Sequence, residues 1–185
     1  GSFLFLAGLS LWLAHGSGLR WHDFLRRLGL LCVAAVGVSV VTYLAMPAIW
    51  VRFGILHAIA LASILSLPFL RVPWPVTLAV AAGILWLAPA LRSPIFDGPG
   101  WLWLGLGTTW PMMMDWEPMV PWLAPMLAGV AVGRLGARAG WWPRLAAWRP
   151  GPDWLAWPGR HSLAIYLIHQ PVIVGAMMAW IWFIP

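Results

Sequence analysis

The sequence contains no lysine and no asparagine, and only 5 of its 185 side chains are acidic. Charged residues make up 9% of the chain and hydrophobic residues 62%, with a mean hydropathy of +0.84. A water-soluble globular domain is about a quarter charged. The scarcity of charge therefore excludes a water-soluble domain and predicts a protein embedded in a lipid bilayer.

The chain has a single cysteine, Cys32, which excludes an intramolecular disulfide and a metal site built from cysteines. Its 11 basic residues are all arginines, and they lie singly or in pairs at the ends of apolar runs. This distribution is typical of residues that orient helices and contact lipid headgroups, whereas nucleic-acid-binding proteins group basic residues on one face. We therefore predict no nucleic-acid partner and no metal.

The apolar runs predict a bundle of membrane-spanning helices. A crossing needs about 20 apolar residues, so the chain has room for about six crossings and none for a separate soluble domain. We predict an all-α, polytopic transmembrane bundle that forms one domain over 1–185. The first run is short, which predicts one more span upstream. The runs are Phe3–Ala14, Leu28–Met46, Phe53–Leu70, Val76–Leu91, Met119–Val132 and Leu163–Ile184.

The arginines also predict the orientation of the bundle, because cytoplasmic loops are enriched in positive charge. If Arg20 is cytoplasmic, alternation of the spans leaves only Arg52 and Arg92 of all the arginines on the outer side. The same alternation places Asp115 and Glu117 in an outer loop. We predict a multi-pass membrane protein whose carboxyl terminus lies outside.

Ionisable side chains inside apolar spans are costly, so they are the first candidates for function. At 1.5 Å per residue, His57 lies roughly 7 Å inside the outer boundary and His169 roughly 13 Å from the inner one. In a core about 30 Å thick, the two imidazoles then lie within about 10 Å of each other in depth. The structural alternative for each is a hydrogen-bonded histidine that ties two helices together.

Asp115 and Glu117 lie where the outer loop re-enters the membrane. A carboxylate beside a histidine fixes its tautomer and supports the imidazolium ion, which suits a general base that takes a proton from a hydroxyl or an amine. We therefore predict a catalytic set of His57, His169, Asp115 and Glu117.

A cationic group is predicted at the inner face, where Arg134 ends the fifth run and Arg160 and His161 begin the last. Arginine binds phosphates through paired hydrogen bonds, so this group suits the phosphates of a nucleotide-like donor such as a coenzyme A thioester. The orientation of the helices alone also explains these arginines.

Three segments together carry a resemblance to a known family: 52–61 (RFGILHAIAL), 115–134 (DWEPMVPWLAPMLAGVAVGR) and 159–171 (GRHSLAIYLIHQP). In this order they resemble the bacterial members of the heparan-alpha-glucosaminide N-acetyltransferase catalytic-domain family. The resemblance implies a transmembrane acyltransferase of a bacterial inner membrane. Such enzymes take an acyl group from cytoplasmic acetyl-CoA and pass it to a sugar, or to another hydroxyl or amine acceptor, on the periplasmic side.

The sequence departs from the family at its start. Family members usually begin with a further helix that carries the histidine implicated in catalysis, and no segment of this sequence corresponds to it. His57 and His169 are therefore carried over as motif positions. The alternative function is a non-catalytic scaffold or accessory subunit of a larger membrane complex, and the chain could also form a homo-oligomer.

Overall fold

The computed structural model describes residues 1–147 and the isolated positions Ile165, Ile168 and Trp180. Residues 1–147 contain α-helices and short 3-10 helices, and no strand occurs in this part of the chain. The predicted all-α class is confirmed for these residues. The α-helices are α1 (Ser2–His15), α2 (Trp21–Ala45), α3 (Ile55–Leu65), α4 (Trp74–Leu87), α5 (Met119–Arg138) and α6 (Trp141–Ala147), and the 3-10 helices are Pro68–Leu70, Pro94–Phe96 and Pro99–Trp101.

Each of the first five predicted runs corresponds to one of the helices α1 to α5. Helix α2 begins seven residues before its run because its first turns carry charged side chains, which an apolar pattern leaves out. By length and composition, α2 and α5 can cross a membrane, whereas α1, α3 and α4 are shorter apolar helices. The number of six spans stays a prediction, and the last run lies outside the described residues.

Residues Gly1–Trp142 form one compact unit, with Pro143–Pro185 as a second. In the first unit, α1 and α5 cross at very close range. A Cβ atom on Gly8 would overlap the backbone of Met126, and one on Gly129 would overlap the backbone of Phe5. Small residues at a helix crossing allow such an approach. On α5, Leu127 has no exposed surface and packs with Ala81 of α4.

The connections between helices group into two regions of the first unit. Arg134, near the end of α5, donates hydrogen bonds to the turn between α3 and α4. The segment before α5 instead bonds to the loop before α3. We call these the arginine-rich end, with Arg71, Arg134 and Arg138, and the acidic end, with Asp115 and Glu117. This grouping agrees with the alternation of loops predicted from the sequence.

Candidate active site and arginine cavity

Helix α3 begins beneath a carboxylate that lies 60 residues further along the chain. The backbone N–H of Ile55 donates to Asp115 Oδ2 over 2.8 Å. A carboxylate at a helix N-terminus accepts a hydrogen bond from an otherwise unpaired amide and interacts favourably with the positive end of the helix dipole. Gly54 is buried directly below it, and a Cβ atom there would overlap the carboxyl group of Asp115. The glycine of segment 52–61 is therefore what allows Asp115 to reach α3.

His57 lies in the first turn of α3, and both of its ring nitrogens have partners. The N–H of Gly54 donates to Nδ1 over 3.3 Å, and Nε2 lies 3.3 Å from the hydroxyl oxygen of Ser39 on α2. That hydroxyl donates its own hydrogen to the carbonyl of Val51 over 2.7 Å. These contacts are all satisfied by a neutral ring with its proton on Nε2, which donates to Ser39. His57 therefore connects α2 with the start of α3.

Backbone contacts align the loop before α3 with the segment that contains Asp115. The N–H of Met114 donates to the carbonyl of Ile49 over 2.9 Å, and the N–H of Glu117 donates to the carbonyl of Phe53 over 3.2 Å. Phe53 and Trp116 also form an isolated parallel bridge. Two of the three segments that carry the family resemblance therefore lie side by side at the acidic end.

Both carboxyl groups at the acidic end resist ionisation. Burial raises the pKa of Asp115, while the Ile55 N–H and the imidazole of His57 act in the opposite direction. Burial is the main cause of the raised pKa of Glu117, and the negative charge of Asp115 raises it further. Glu117 Oε2 is buried and has no hydrogen-bond partner among the described residues. The pair therefore binds a proton more readily than two carboxyls in water would.

The tryptophan-rich loop before α5 is fixed beside this site. Trp116 Nε1 donates to the carbonyl of Leu102 over 2.9 Å, and the Trp116 ring meets Trp110 edge-on with 5.3 Å between centroids. Asp97 accepts hydrogen bonds from Thr108 and Thr109. The loop is thus ordered by its own side chains around the segment that carries Asp115.

The arginine-rich end contains an open cavity of about 360 Å³. Arg134 lies in its wall and uses Nη1 to donate to the carbonyls of Leu70 and Val72, over 3.1 and 2.9 Å. No acidic residue of the described part lines this cavity. Its lining residues are Trp12, Gly16, Leu70, Arg71, Arg134, Ala137 and Arg138.

The structure describes four of the seven predicted site residues. It brings His57 and Asp115 together at the first turn of α3, and it places Glu117 beside the loop before α3. Arg134 lies at the arginine-rich end. The other predicted residues, His169, Arg160 and His161, lie outside the described residues.

Sequence reasoning missed Ser39 and Arg71 as site residues. Ser39 and Thr42 are hydroxyl residues one turn apart in the apolar run of α2, and Thr42 accepts a hydrogen bond from the N–H of Val51 over 3.1 Å. Their presence in an apolar helix was a usable signal. In the sequence, Arg71 indicates only the orientation of the helices, and its proximity to Arg134 follows from tertiary packing.

The first unit combines a histidine and two partly buried carboxyls at the acidic end with an arginine-lined cavity at the other, a pattern of chemistry that suits a membrane-bound transferase. The chain belongs to the family described as heparan-alpha-glucosaminide N-acetyltransferase, catalytic, whose model matches residues 1–171. Membership confirms the resemblance and supports a membrane acyltransferase, while the bacterial source stays a prediction. Comparisons with curated proteins and with solved structures gave no match.

Proposed function

We propose that this protein transfers an acetyl or other acyl group from acyl-CoA, bound at the arginine-rich end, to a hydroxyl or amine acceptor at the acidic end. The observation that carries the proposal is the set of contacts around His57. Its ring contacts Ser39 on α2 and Gly54 at the start of α3, and Asp115 accepts a hydrogen bond from that same first turn. A histidine near a partly buried carboxyl is suited to moving a proton.

In the proposed reaction His57 accepts the proton of the acceptor's hydroxyl or amine. The acceptor atom then bonds to the thioester carbonyl carbon, the carbon–sulfur bond breaks, and the coenzyme A thiolate leaves and takes up the proton. The resting ring already has its proton on Nε2, so it must become an imidazolium ion during transfer. Asp115 supports that positive charge. Glu117 orients the acceptor through Oε2, which has no hydrogen-bond partner among the described residues.

The donor's phosphates bind at the arginine-rich end, where Arg134 lies. Arg160 and His161 stay candidate phosphate ligands on the sequence alone. Arg134 and Met119 are separated by 15 residues of α5, which corresponds to about 22 Å at 1.5 Å per residue. The acyl group must therefore extend from the phosphates toward the acidic end. Acetyl-CoA, with its long flexible arm, is the donor we propose.

The location of the protein and the class of acceptor are proposed from the family resemblance, and the orientation from the distribution of arginines. We place the protein in a bacterial inner membrane, with the arginine-rich end at the cytoplasm and the acidic end at the periplasm, and we propose a sugar or glycan acceptor. The sequence also makes His169 a second candidate base, and it lies outside the described residues.

The test measures the rate at which the purified full chain transfers the labelled acetyl group of acetyl-CoA to acceptor molecules extracted from membranes. We expect His57→Ala or His169→Ala to lower the rate by about 10²- to 10⁴-fold, the usual contribution of a general base. His22→Ala is the matched control, because the His22 side chain is 91% exposed. Unchanged transfer in both variants, with protein that still extracts as a monodisperse species, would contradict the proposal.

A second candidate function is a non-catalytic scaffold within a larger membrane complex. The observation that favours it is that both ring nitrogens of His57 are already bonded within the protein. A scaffold would neither bind nor hydrolyse acetyl-CoA, so donor binding measured in the same preparation separates the two functions.

A further inference from the structure

We propose that the cavity at the arginine-rich end is a phosphate-binding site in which Arg134 is the fixed ligand and Arg71 and Arg138 are the adjustable ones. The inference deepens the proposed function and rests on it for one of the ligands, the acyl donor. The phosphate site itself depends only on the geometry of the cavity.

Arg134 is fixed by the turn that it contacts. Its Nη1 group donates to the carbonyls of Leu70 and Val72. A guanidinium has five N–H donors, so Nε and Nη2 retain three that these bonds do not use. Because Arg134 also lines the cavity, part of its charge and hydrogen-bonding capacity is positioned there before any ligand binds.

Arg71 and Arg138 complete the wall around this fixed group. Arg71 lies in the chain between the two residues whose carbonyls bind Arg134, so the same hydrogen bonds place it at the cavity. Arg138 lies four residues after Arg134 on α5, which puts it on the same face of the helix. Both side chains belong to exposed residues and are free to adjust to a ligand.

The cavity has no counter-charge among the described residues. Asp23 pairs with Arg20 at 3.3 Å, and the carboxyls of Asp97, Asp115 and Glu117 belong to the acidic end or its loop. Like charges around one opening repel each other, and they favour an anion with two or more negative charges. A phosphate group also matches the paired donors of guanidinium.

The shared chemistry is a phosphate or diphosphate group, which two sources can supply. One is a water-soluble molecule, such as coenzyme A with its several phosphates, and the other is the headgroup of an anionic lipid. If the arginines only orient the helices, neither source would bind selectively at this cavity.

The experiment compares the unaltered full chain with the double variant Arg71→Gln/Arg138→Gln, both in nanodiscs. One arm titrates coenzyme A in phosphatidylcholine nanodiscs by calorimetry, and the other measures phosphatidylglycerol retained by the protein in native mass spectrometry. Arg92→Gln is the control, because it removes an exposed arginine from the loop between α4 and α5. We expect about tenfold weaker binding for each arginine removed, as for a charge-assisted hydrogen bond, and weaker binding at higher salt.

Loss of coenzyme A binding in the double variant, with Arg92→Gln unchanged, supports a soluble phosphate ligand. Loss of lipid retention alone supports the phosphate site with a lipid occupant, and in that case the donor assignment of the proposed function fails while the site stands. Equal binding of both probes by the double variant and the unaltered protein overturns the inference. Arg71→Lys/Arg138→Lys keeps the charge and checks that any loss is not caused by misfolding.

Discussion

The two ends of the first unit differ in how their charged groups are held. At the acidic end, Asp115 is partly buried, accepts a hydrogen bond from a helix terminus, and has a raised pKa. At the arginine-rich end, Arg71 and Arg138 are exposed and surround an open cavity. A buried, bonded group suits proton transfer in a fixed geometry, whereas exposed charges suit a ligand that enters and leaves.

The largest effect on stability is expected for Gly54→Ala at the acidic end. The added Cβ would overlap the Asp115 carboxyl group and the Val51 side chain, so the contact between Asp115 and α3 cannot form unchanged. We expect a loss of about 3 kcal/mol in the free energy of unfolding, the upper end of the range for overpacking. Thermal unfolding followed by size-exclusion chromatography measures it.

Gly83→Ala is the control for this prediction, because a Cβ atom on Gly83 meets nothing within 4 Å among the described residues. Alanine also favours a helix interior over glycine, so this variant should be as stable as the original chain or slightly more so. Equal stability of the Gly54 and Gly83 variants would show that the packing of Asp115 on α3 is unimportant.

Asp115→Asn separates the charge of this group from its hydrogen bond. The amide oxygen can still accept from the Ile55 N–H, but it cannot support an imidazolium ion at His57. We expect acetyl transfer to fall by about tenfold or more, which corresponds to about 1.4 kcal/mol, without a loss of stability. Full activity of Asp115→Asn would remove Asp115 from the proposed reaction.

The pH dependence of stability provides a further test at the acidic end. A carboxyl whose pKa is raised by folding binds its proton more tightly in the folded chain, so the free energy of unfolding falls as pH rises from the ordinary pKa through the raised one. Asp115→Asn should weaken this fall, which unfolding measured across that interval would detect. If Asp115→Asn left the pH dependence of the free energy of unfolding unaltered, Asp115 would not be a partly buried carboxyl with a raised pKa.

At the arginine-rich end, stability should distinguish Arg134 from Arg138. Arg134→Gln removes hydrogen bonds from two turn carbonyls and should cost about 1–2 kcal/mol. Arg138→Gln changes an exposed side chain that makes no hydrogen bond to this turn, so its stability should stay within about 0.5 kcal/mol of the original chain. Unfolding of both variants in the same detergent compares them, and equal values would contradict the fixed role of Arg134.

The smallest effect is expected for Asp97, which orders the exposed loop. Hydrogen bonds from the Thr108 hydroxyl and the Thr109 N–H lower its pKa. Its contribution is therefore present above the ordinary pKa of an aspartate and is lost as pH falls through the lowered one. Asp97→Asn should speed hydrogen exchange at the Thr108 and Thr109 amides with little change in global unfolding, and unchanged exchange would show that these bonds are weak.

Apolar runs located the helices because an apolar segment in lipid has to satisfy its backbone hydrogen bonds internally, as a helix does. They misplaced the start of α2, since Arg26 and Arg27 belong to the helix but not to the run. Ionisable residues in or beside apolar runs likewise identified His57 and Asp115 as candidates. Their cost in a membrane makes them conspicuous in any sequence of this kind.

The contacts of these candidates could not be predicted from the sequence. The bond between Asp115 and Ile55 joins residues 60 positions apart, and it depends on how α3 and the loop before α5 pack. The bond of His57 to Ser39 depends on the packing of α2 against α3. Periodicity along one chain contains no information about which loops meet, so the partners emerge only with the fold.

The central claim is that the donor binds at the arginine-rich end and that the product forms at the acidic end through His57. The most direct measurement uses proteoliposomes with a single protein orientation, with radiolabelled acetyl-CoA confined to the arginine-rich side and a mixture of sugar and amine acceptors to the acidic side. We expect labelled product on the acidic side for the original chain and at least a hundredfold less for His57→Gln. Equal labelling by His57→Gln, or product only when both substrates share one side, would contradict it.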